Sequence, residues 1–137
     1  MSDPSDGRPL PTPDPATEPY WAAAREHRLS MPRCEACGEF HFYPRPICPH
    51  CGTARLAWAD VSGNGTVYSF TVVQRAPSPA FADMVPYVVA IVALDEGPHL
   101  MSNIVGCSAE QVRIGMRVRV TFLDSGKELS LPLFKVG

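Results

Sequence analysis

The stretch Cys34-Glu35-Ala36-Cys37-Gly38, followed by Cys48-Pro49-His50-Cys51-Gly52, contains two Cys-x2-Cys-Gly units with ten residues between their nearest cysteines. A Cys-x2-Cys turn aims two sulfurs at one centre. A glycine after the second cysteine accepts a positive φ, which turns backbone amides towards sulfur. Two such units facing each other across a short hairpin predict a tetrahedral metal site with the ligands Cys34, Cys37, Cys48 and Cys51.

Two other uses of paired cysteines fit the sequence less well. Disulfides need an oxidising compartment, and the chain shows neither a signal-peptide pattern nor a span of about 20 apolar residues. We therefore expect a cytoplasmic protein without membrane association. A thioredoxin-like redox pair needs one Cys-x2-Cys on a strand-to-helix turn, whereas here two units lie in a proline-rich segment without helical periodicity.

The identity of the metal follows from the ligands and their context. Zinc is favoured because no partner redox site is visible, and iron is the alternative because Cys48–Gly52 resembles the second knuckle of rubredoxin. His41 and His50 lie near the ligands in sequence. Four cysteines already fill a tetrahedron, so we interpret both histidines as bystanders.

Charge and length limit the functional classes. The 137 residues have a net charge of −2, which argues against electrostatic binding of nucleic acid. Residues 19–59 are the only basic part, with five arginines against three glutamates. A zinc-ribbon protein that binds single-stranded nucleic acid remains an alternative, but it would need a basic groove lined with aromatic side chains.

The chain divides into three segments. Residues 1–18 are rich in proline and acidic residues, which predicts a disordered tail. Residues 19–58 hold a short helix, beginning near Pro19, and the metal ribbon. Residues 59–137 are predicted to form a barrel. Tyr20 and Trp21 lie on the helix, where they either anchor it to its own domain or contact a partner subunit.

The barrel is predicted from its order of elements. Four residues, Ser108-Ala109-Glu110-Gln111, have the form of a capping box and predict a short helix that ends at Gly115. That helix lies between the third and fourth of five strands, an order typical of an OB-fold and not of an SH3-like barrel. The predicted strands are Thr66–Gln74, Tyr87–Leu94, His99–Val105, Arg117–Phe122 and Glu128–Phe134. The fold class is therefore mainly β: an N-terminal helix, a rubredoxin-like zinc ribbon and a five-stranded OB-fold barrel.

Motifs in every segment from residue 19 onwards resemble one known family. They are Tyr20-Trp21, Leu29-x-Met31-Pro32-Arg33-Cys34-x2-Cys37-Gly38, Tyr43-Pro44-Arg45-Pro46-x-Cys48-Pro49-x-Cys51-Gly52, Trp58, Ser62-Gly63-x-Gly65-x-Val67-Tyr68-Ser69, Pro86-Tyr87-Val88-Val89-Ala90 and Ile114-Gly115. This pattern is similar to the DUF35 family, whose members carry a rubredoxin-like zinc ribbon on an OB-fold.

The resemblance implies an accessory role in an acyl-CoA enzyme complex. The implied partner is a thiolase-superfamily enzyme, a thiolase or an aldolase, that makes or breaks carbon–carbon bonds. Steroid side-chain degradation is one setting that the resemblance implies for it. An acyl-CoA hydratase is the alternative partner. In such complexes the DUF35 subunit helps to form the CoA channel, and the partner performs the catalysis.

The residues themselves agree that this chain is not catalytic alone. Cys107 stands before the Ser108 turn, where we expect a small buried residue, and the four histidines are scattered. CoA is polyanionic and has an apolar arm, so we expect basic residues and exposed apolar residues to bind it. The candidates for CoA binding are Arg33, Arg45, Arg55, Phe81 and Met84, and those for the partner interface are Tyr20, Trp21 and Phe81.

Overall fold

The computed structural model describes residues 11–125 and 129–137. The described elements follow in the order α1 (Glu18–Arg25), β1 (Ser30–Cys34), β2 (Leu56–Asp60), β3 (Asn64–Val73), β4 (Tyr87–Leu94), β5 (His99–Val105), β6 (Arg117–Ser125) and β7 (Leu129–Val136). Two 3-10 turns, Pro79–Phe81 and Ala109–Gln111, precede β4 and β6 respectively.

The strands form two separate sheets. β1 and β2 pair antiparallel from Ser30–Asp60 to Cys34–Leu56, which makes the hairpin that carries the metal knuckles. The other five strands close into a barrel in the order β3-β4-β5-β7-β6, with β6 pairing back onto β3. The single parallel pairing among the described strands joins β5 to β7, and all others are antiparallel. This arrangement confirms the predicted fold class, a metal ribbon on a small OB-like barrel.

β4 shows why these sequences fold as barrel walls. Its eight residues, Tyr87–Leu94, are all apolar or aromatic, and they alternate between half-buried and buried along the strand. The buried set, Val88, Ala90, Val92 and Leu94, belongs to the main core. Period-two burial is what a closed sheet requires, because one face looks inwards. The predicted bounds of β4 and β5 are confirmed.

The barrel and the N-terminal elements share one core. Tyr20 from α1 and Met31 from β1 belong to the same cluster of buried residues as Val92 and Phe134 of the barrel. Helix α1 packs against β7 and β1. A helix of eight residues is marginal alone, so this packing is what stabilises it.

Helix α1 begins at Glu18, which confirms the predicted start near Pro19 to within one residue. The preceding Asp14–Thr17 segment forms a turn. The Thr17 backbone N–H and hydroxyl both donate to the Asp14 carboxylate, at 2.9 and 3.0 Å, and Thr17 is buried. The predicted tail of residues 1–18 therefore includes part of the helix terminus, and residues 1–10 lie outside the described part of the chain.

The short helix predicted after Ser108 is a three-residue 3-10 turn, Ala109–Gln111. Its capping box is present: the Ser108 backbone N–H donates to Gln111 Oε1 at 3.0 Å. Val112 then becomes extended and is 2% exposed, so its burial in the core ends the turn before the predicted stop at Gly115.

Within the described ranges, no helix has the length and apolar character needed to cross a membrane.

Candidate metal centre

The four predicted ligands converge on one point. The Sγ atoms of Cys34, Cys37, Cys48 and Cys51 all lie within 4.8 Å of one another. Cys34 Sγ is 3.5 Å from Cys51 Sγ, and Cys37 Sγ is 3.8 Å from Cys48 Sγ. Four sulfurs at about 2.3 Å from a tetrahedral ion would be about 3.8 Å apart, so the observed spacing fits a four-thiolate metal site.

The two knuckles use the same backbone hydrogen bonds. The Cys34 N–H donates to Glu39 O at 2.9 Å, and the Cys48 N–H donates to Thr53 O at 2.8 Å, each bond closing a loop of the same length. The two knuckles therefore share one hydrogen-bond pattern, and each presents two cysteines to the site.

The glycines complete each knuckle. Gly38 and Gly52 have φ of 78° and 81°, and their N–H groups donate to the carbonyls of Cys34 and Cys48 at 2.8 and 2.9 Å. A residue with a Cβ would be strained at this φ. The amides of Cys37 and His50 then point at Cys34 Sγ and Cys48 Sγ, each at 3.4 Å. Such N–H···S contacts stabilise bound thiolates.

The cysteines differ in their electrostatics. The backbone amide of Cys37 is the main cause that lowers the pKa of the Cys34 thiol to about 6. The pKa of Cys37 is raised to about 12, since burial and the other sulfurs outweigh the hydrogen bond from the Glu39 amide. Four thiolates this close cannot all be charged by themselves. A divalent cation removes this repulsion and holds all four deprotonated.

A site filled by four protein ligands has a structural role. It offers no open position to water or substrate, so it cannot act as a Lewis acid. Among the described residues, the group able to hold a metal consists of these four cysteines alone. His50 directs its Nε2 to Phe40 O at 3.3 Å, away from that role.

The three predicted CoA-binding arginines are exposed, and each has different surroundings. Arg33 donates from Nε to Gly38 O at 3.1 Å, and its guanidinium lies 5.6 Å from the centre of the Phe40 ring. Arg45 lines a cavity between the ribbon and the β4–β5 turn. Arg55 follows the second knuckle, where its backbone carbonyl accepts from the Glu35 N–H at 2.8 Å.

Phe81 and Met84 occupy the loop before β4, and both are half-buried. The Phe81 ring stacks on Tyr87 with the ring centres 6.1 Å apart. Met84 lines a cavity of about 430 Å³. The cavity lies between the start of β4, the end of β5 and the part of the β6–β7 hairpin that contains Leu123 and Leu131. Leu123, Leu131 and Leu133 line the same cavity, a meeting with Met84 that no sequence pattern predicted.

Tyr20 and Trp21 differ in what they offer a partner. Tyr20 is 6% exposed, and its ring packs against Trp21 and Phe42 at 4.9 and 5.2 Å. Burial raises its pKa above the ordinary value. Tyr20 is therefore an anchor within its own domain, with little surface for a partner. Trp21 is half-buried at the edge of the core.

Two family models match consecutive parts of the chain. Residues 21–57 match the rubredoxin-like zinc ribbon domain of ChsH2, and residues 58–123 match the C-terminal OB-fold domain of ChsH2.

Three relatives illustrate the range of similar proteins. A DUF35 domain-containing scaffold protein of Methanothermobacter thermautotrophicus is 37% identical over 99 residues, which cover 72% of this chain and 74% of that protein. A probable enoyl-CoA hydratase alpha subunit of Thermomonospora curvata is 41% identical over 85% of this chain. A 3-oxo-4,17-pregnadiene-20-carboxyl-CoA hydratase alpha subunit of Mycobacterium tuberculosis is 34% identical over 77%. The chain spans 36% and 33% of these two hydratase subunits.

A solved structure is similar over nearly the whole chain. It is a chain of the Ltp2-ChsH2(DUF35) aldolase, with a TM-score of 0.83 and 38% identity, and the match covers 93% of this chain and 98% of that one. The fold, the four-cysteine knuckles, both family models and the scaffold relatives agree, and this chain belongs to the DUF35 family.

Proposed function

We propose that this chain is a non-catalytic accessory subunit of an acyl-CoA-processing complex, and that its partner is a thiolase-superfamily aldolase of the Ltp2 type. The chain stabilises the partner and contributes to the channel that holds the acyl-CoA. The metal in the four-cysteine site is zinc, and it holds the ribbon in shape.

The observation that carries the proposal is the similarity to the DUF35 chain of the Ltp2-ChsH2(DUF35) aldolase. The match covers 98% of that chain at a TM-score of 0.83, so ribbon and barrel correspond together. An identity of 38% at this coverage makes a shared mode of assembly the simplest expectation. A partner from elsewhere in the thiolase superfamily would be a less specific version of the same proposal.

The closed metal site supports a non-catalytic role. Its four ligands are protein sulfurs, which leaves no position for chemistry at the ion. Cys107 lines the 430 Å³ cavity beside Ala109, but among the described residues no histidine lines that cavity to activate a thiol. The reacting groups are expected on the partner.

The apolar cavity supports the proposed contribution to the acyl-CoA channel. Its volume of about 430 Å³ falls in the range of ligand pockets, and Met84, Ile104 and Leu131 give it apolar walls. Phe81 is held beside it through Tyr87. We propose that this cavity takes part of the acyl chain or the pantetheine arm, while Arg33, Arg45 and Arg55 remain candidates for the CoA phosphates.

Co-expression with an Ltp2-type aldolase tests the proposal. We expect a stable hetero-oligomer by size-exclusion chromatography with light scattering, carbon–carbon cleavage of an acyl-CoA by the complex, and no turnover by this chain alone. Met84→Glu should raise the KM for acyl-CoA with little change in kcat, whereas Ile114→Glu, at a residue outside the cavity, should not. Turnover by the lone chain, or a fully active and stable aldolase without it, would refute the proposal.

A hydratase partner is the second candidate. The two hydratase alpha subunits match over 85% and 77% of this chain, and one of them carries a steroid acyl-CoA in its name. A pull-down that offers the aldolase and a hydratase subunit in equal amounts distinguishes the two. Retention of the hydratase alone would move the proposal from carbon–carbon cleavage to hydration.

A further inference from the structure

A second cavity lies at the junction of the ribbon and the barrel. It has a volume of about 380 Å³. The ribbon contributes His41, Arg45 and His50, and the β4–β5 turn contributes Pro98 and His99. None of the four cysteines and none of the residues around Met84 lines this cavity, and of its lining residues only Arg45 was considered above, as a candidate for the CoA phosphates.

His41 is the unusual residue of this cavity. It is 4% exposed, and neither Nδ1 nor Nε2 has a hydrogen-bond partner. A buried polar group without a partner costs about 1–3 kcal/mol, so such groups are rare in stable folds. Burial lowers the pKa of His41, and its electrostatic interactions with His50 and Arg45 lower it further. The imidazole is therefore neutral near pH 7 and offers one N–H donor to the cavity.

The charge at the cavity is not neutralised within the chain. Arg25, Arg28 and Arg117 each form an ion pair, but no carboxylate of the described residues pairs with Arg45. Glu39 lines the same cavity, and yet its carboxylate is not within ion-pair distance of Arg45. An incoming acidic group would accept hydrogen bonds from both Arg45 and His41.

Exposed large side chains neighbour the residues that line the cavity, either in sequence or by contact. Tyr43 and Ile47 flank Arg45 in sequence and are 55% and 53% exposed. On the other side the Tyr68 ring contacts the His99 ring, with the centres 4.6 Å apart. Met101 lies two residues beyond His99 and is 66% exposed. We call these residues with Arg45, His41 and His99 the junction surface.

Exposed large apolar side chains close to a cavity with an unpaired arginine are typical of a protein interface, because soluble monomers rarely expose large apolar patches. A second copy of this chain fits poorly. Residues 19–59 have a net charge of +2, so self-association through the ribbon would bring like charges together. A partner with an acidic segment is complementary in charge.

We propose that the junction surface binds an acidic segment of the partner enzyme, with one carboxylate entering the cavity to meet Arg45 and His41 and with apolar side chains packing on Tyr43, Ile47, Tyr68 and Met101. This rests on the proposed function, since it takes the partner to be the aldolase subunit. It places the contact on a surface that includes neither Tyr20 nor Phe81.

The test measures the affinity of purified variants for the Ltp2-type aldolase by isothermal titration calorimetry. Arg45→Glu is expected to weaken binding at least about 10-fold, because it places like charges face to face. His41→Phe keeps the ring shape and removes both unpaired nitrogens, so it should weaken binding without lowering Tm. Arg119→Glu and Ile114→Ala are the matched controls, an exposed arginine and an exposed apolar residue outside the junction surface, and should bind like the original chain.

The outcomes separate the two proposals. If the original chain binds no aldolase, the proposed function fails first. If it binds and Arg45→Glu binds equally well, the junction surface is wrong. A second experiment tests whether the cavity binds phosphate and not a carboxylate of the partner. The lone chain is titrated with inorganic phosphate, and binding is followed by the ¹⁵N signals of the His41 ring. Tight binding of phosphate that Arg45→Glu abolishes, with unchanged aldolase affinity, would overturn the protein partner in favour of a phosphate ligand.

Discussion

Gly63 shows how one missing side chain positions the barrel. It has a φ of 83°, and a Cβ built on it would lie 2.4 Å from Val120 Cγ1. The Gly63 carbonyl also accepts the Val120 N–H at 2.8 Å, so the two backbones cannot separate without losing that bond. The turn before β3 and the middle of β6 therefore approach closely only because residue 63 is glycine.

Gly63→Ala is expected to destabilise the protein by about 2–4 kcal/mol, from the cost of a left-handed alanine plus the clash with Val120. Chemical denaturation with urea would measure it. Gly115→Ala is the control, since Gly115 has a φ of 88° but nothing within 4 Å of its Cβ position. It isolates the backbone cost of about 1–2 kcal/mol. Equal losses in the two variants would contradict the proposed clash.

Cys34→Ser is expected to release the metal and unfold the ribbon. The binding free energy of a structural zinc, about 10 kcal/mol or more, is also folding free energy. Cys34 is fully buried, so water cannot take the place of the lost thiolate at the metal without opening the hairpin. Metal content by mass spectrometry of the intact protein and near-UV circular dichroism would measure both effects.

Cys107→Ser is the matched control, because Cys107 is outside the four-cysteine group. It should retain one equivalent of metal. A Cys34→Ser protein with full metal content and an unchanged spectrum would show that the site is not a four-thiolate site.

At the scale of single residues, the sequence predicted ligands better than surfaces. The cysteines are identified by spacing alone, because a metal demands a fixed set of donors. Tyr20 and His41 could not be placed in this way. The Tyr20 ring faces its own core because it packs on Phe42, which is 22 residues away in sequence. His41 lines a cavity together with the β4–β5 turn, which is more than 50 residues away.

Among the elements, one ion pair ties three strands together at the end of the barrel. Arg117 at the start of β6 binds Asp95, just after β4, through two contacts of 2.7 and 2.9 Å. The same guanidinium donates to Thr66 Oγ1 of β3 at 3.2 Å. The hydrogen bond from Arg117 is the main cause that lowers the pKa of Asp95.

This pair predicts a pH dependence of stability. Because the pKa of Asp95 is lower in the folded state, its contribution is present above the unfolded carboxyl value of about 4 and is lost as the pH falls through the folded value. Asp95→Asn should lower Tm at pH 7 and differ less from the original protein near pH 2. Both side chains are exposed, so we expect a small effect.

Thermal melts from pH 2 to 8 would measure it. Asp83→Asn is the control, since Asp83 is exposed and forms no ion pair within the described residues. A Tm difference for Asp95→Asn that stays constant across this range would contradict the assigned role of the pair.

Elements with strong local patterns were predicted with their bounds, and the others were not. The apolar run of β4 and the turn after it determine that strand locally. The helix after Ser108 was predicted too long because the capping box is local, whereas its end is determined by the burial of Val112 against the barrel. The start of α1 near Pro19 was predicted correctly, but the Asp14–Thr17 turn before it was not, because it lies in a segment whose proline content predicts disorder.

At the scale of the whole molecule, the described parts of ribbon and barrel share one continuous core, and this predicts that they lose stability together. Tyr20, Leu29 and Met31 pack in the same cluster as the barrel residues. Removal of the metal with a chelator should therefore lower the stability of the barrel as well as unfold the ribbon. This is a stronger coupling than two modules joined by a linker would show.

The two tryptophans make the test simple. Trp21 lies in α1 and Trp58 in β2, so fluorescence reports on the N-terminal part, while far-UV circular dichroism is dominated by the barrel strands. We expect both signals to melt at a lower temperature after chelation and to recover with added zinc. A barrel transition unchanged by chelation would show two independent units.

The knuckles also imply a direction for metal exchange. Each contributes one buried sulfur, Cys34 or Cys48, and one exposed residue, Cys37 or Cys51. All four thiolates can bind the ion, but solutes reach the exposed pair more readily than the buried pair. We therefore expect an alkylating reagent or a competing apoprotein to reach Cys37 and Cys51 first. On this expectation the ion leaves and enters on their side of the tetrahedron, and Cys34 and Cys48 are the last thiolates to release it.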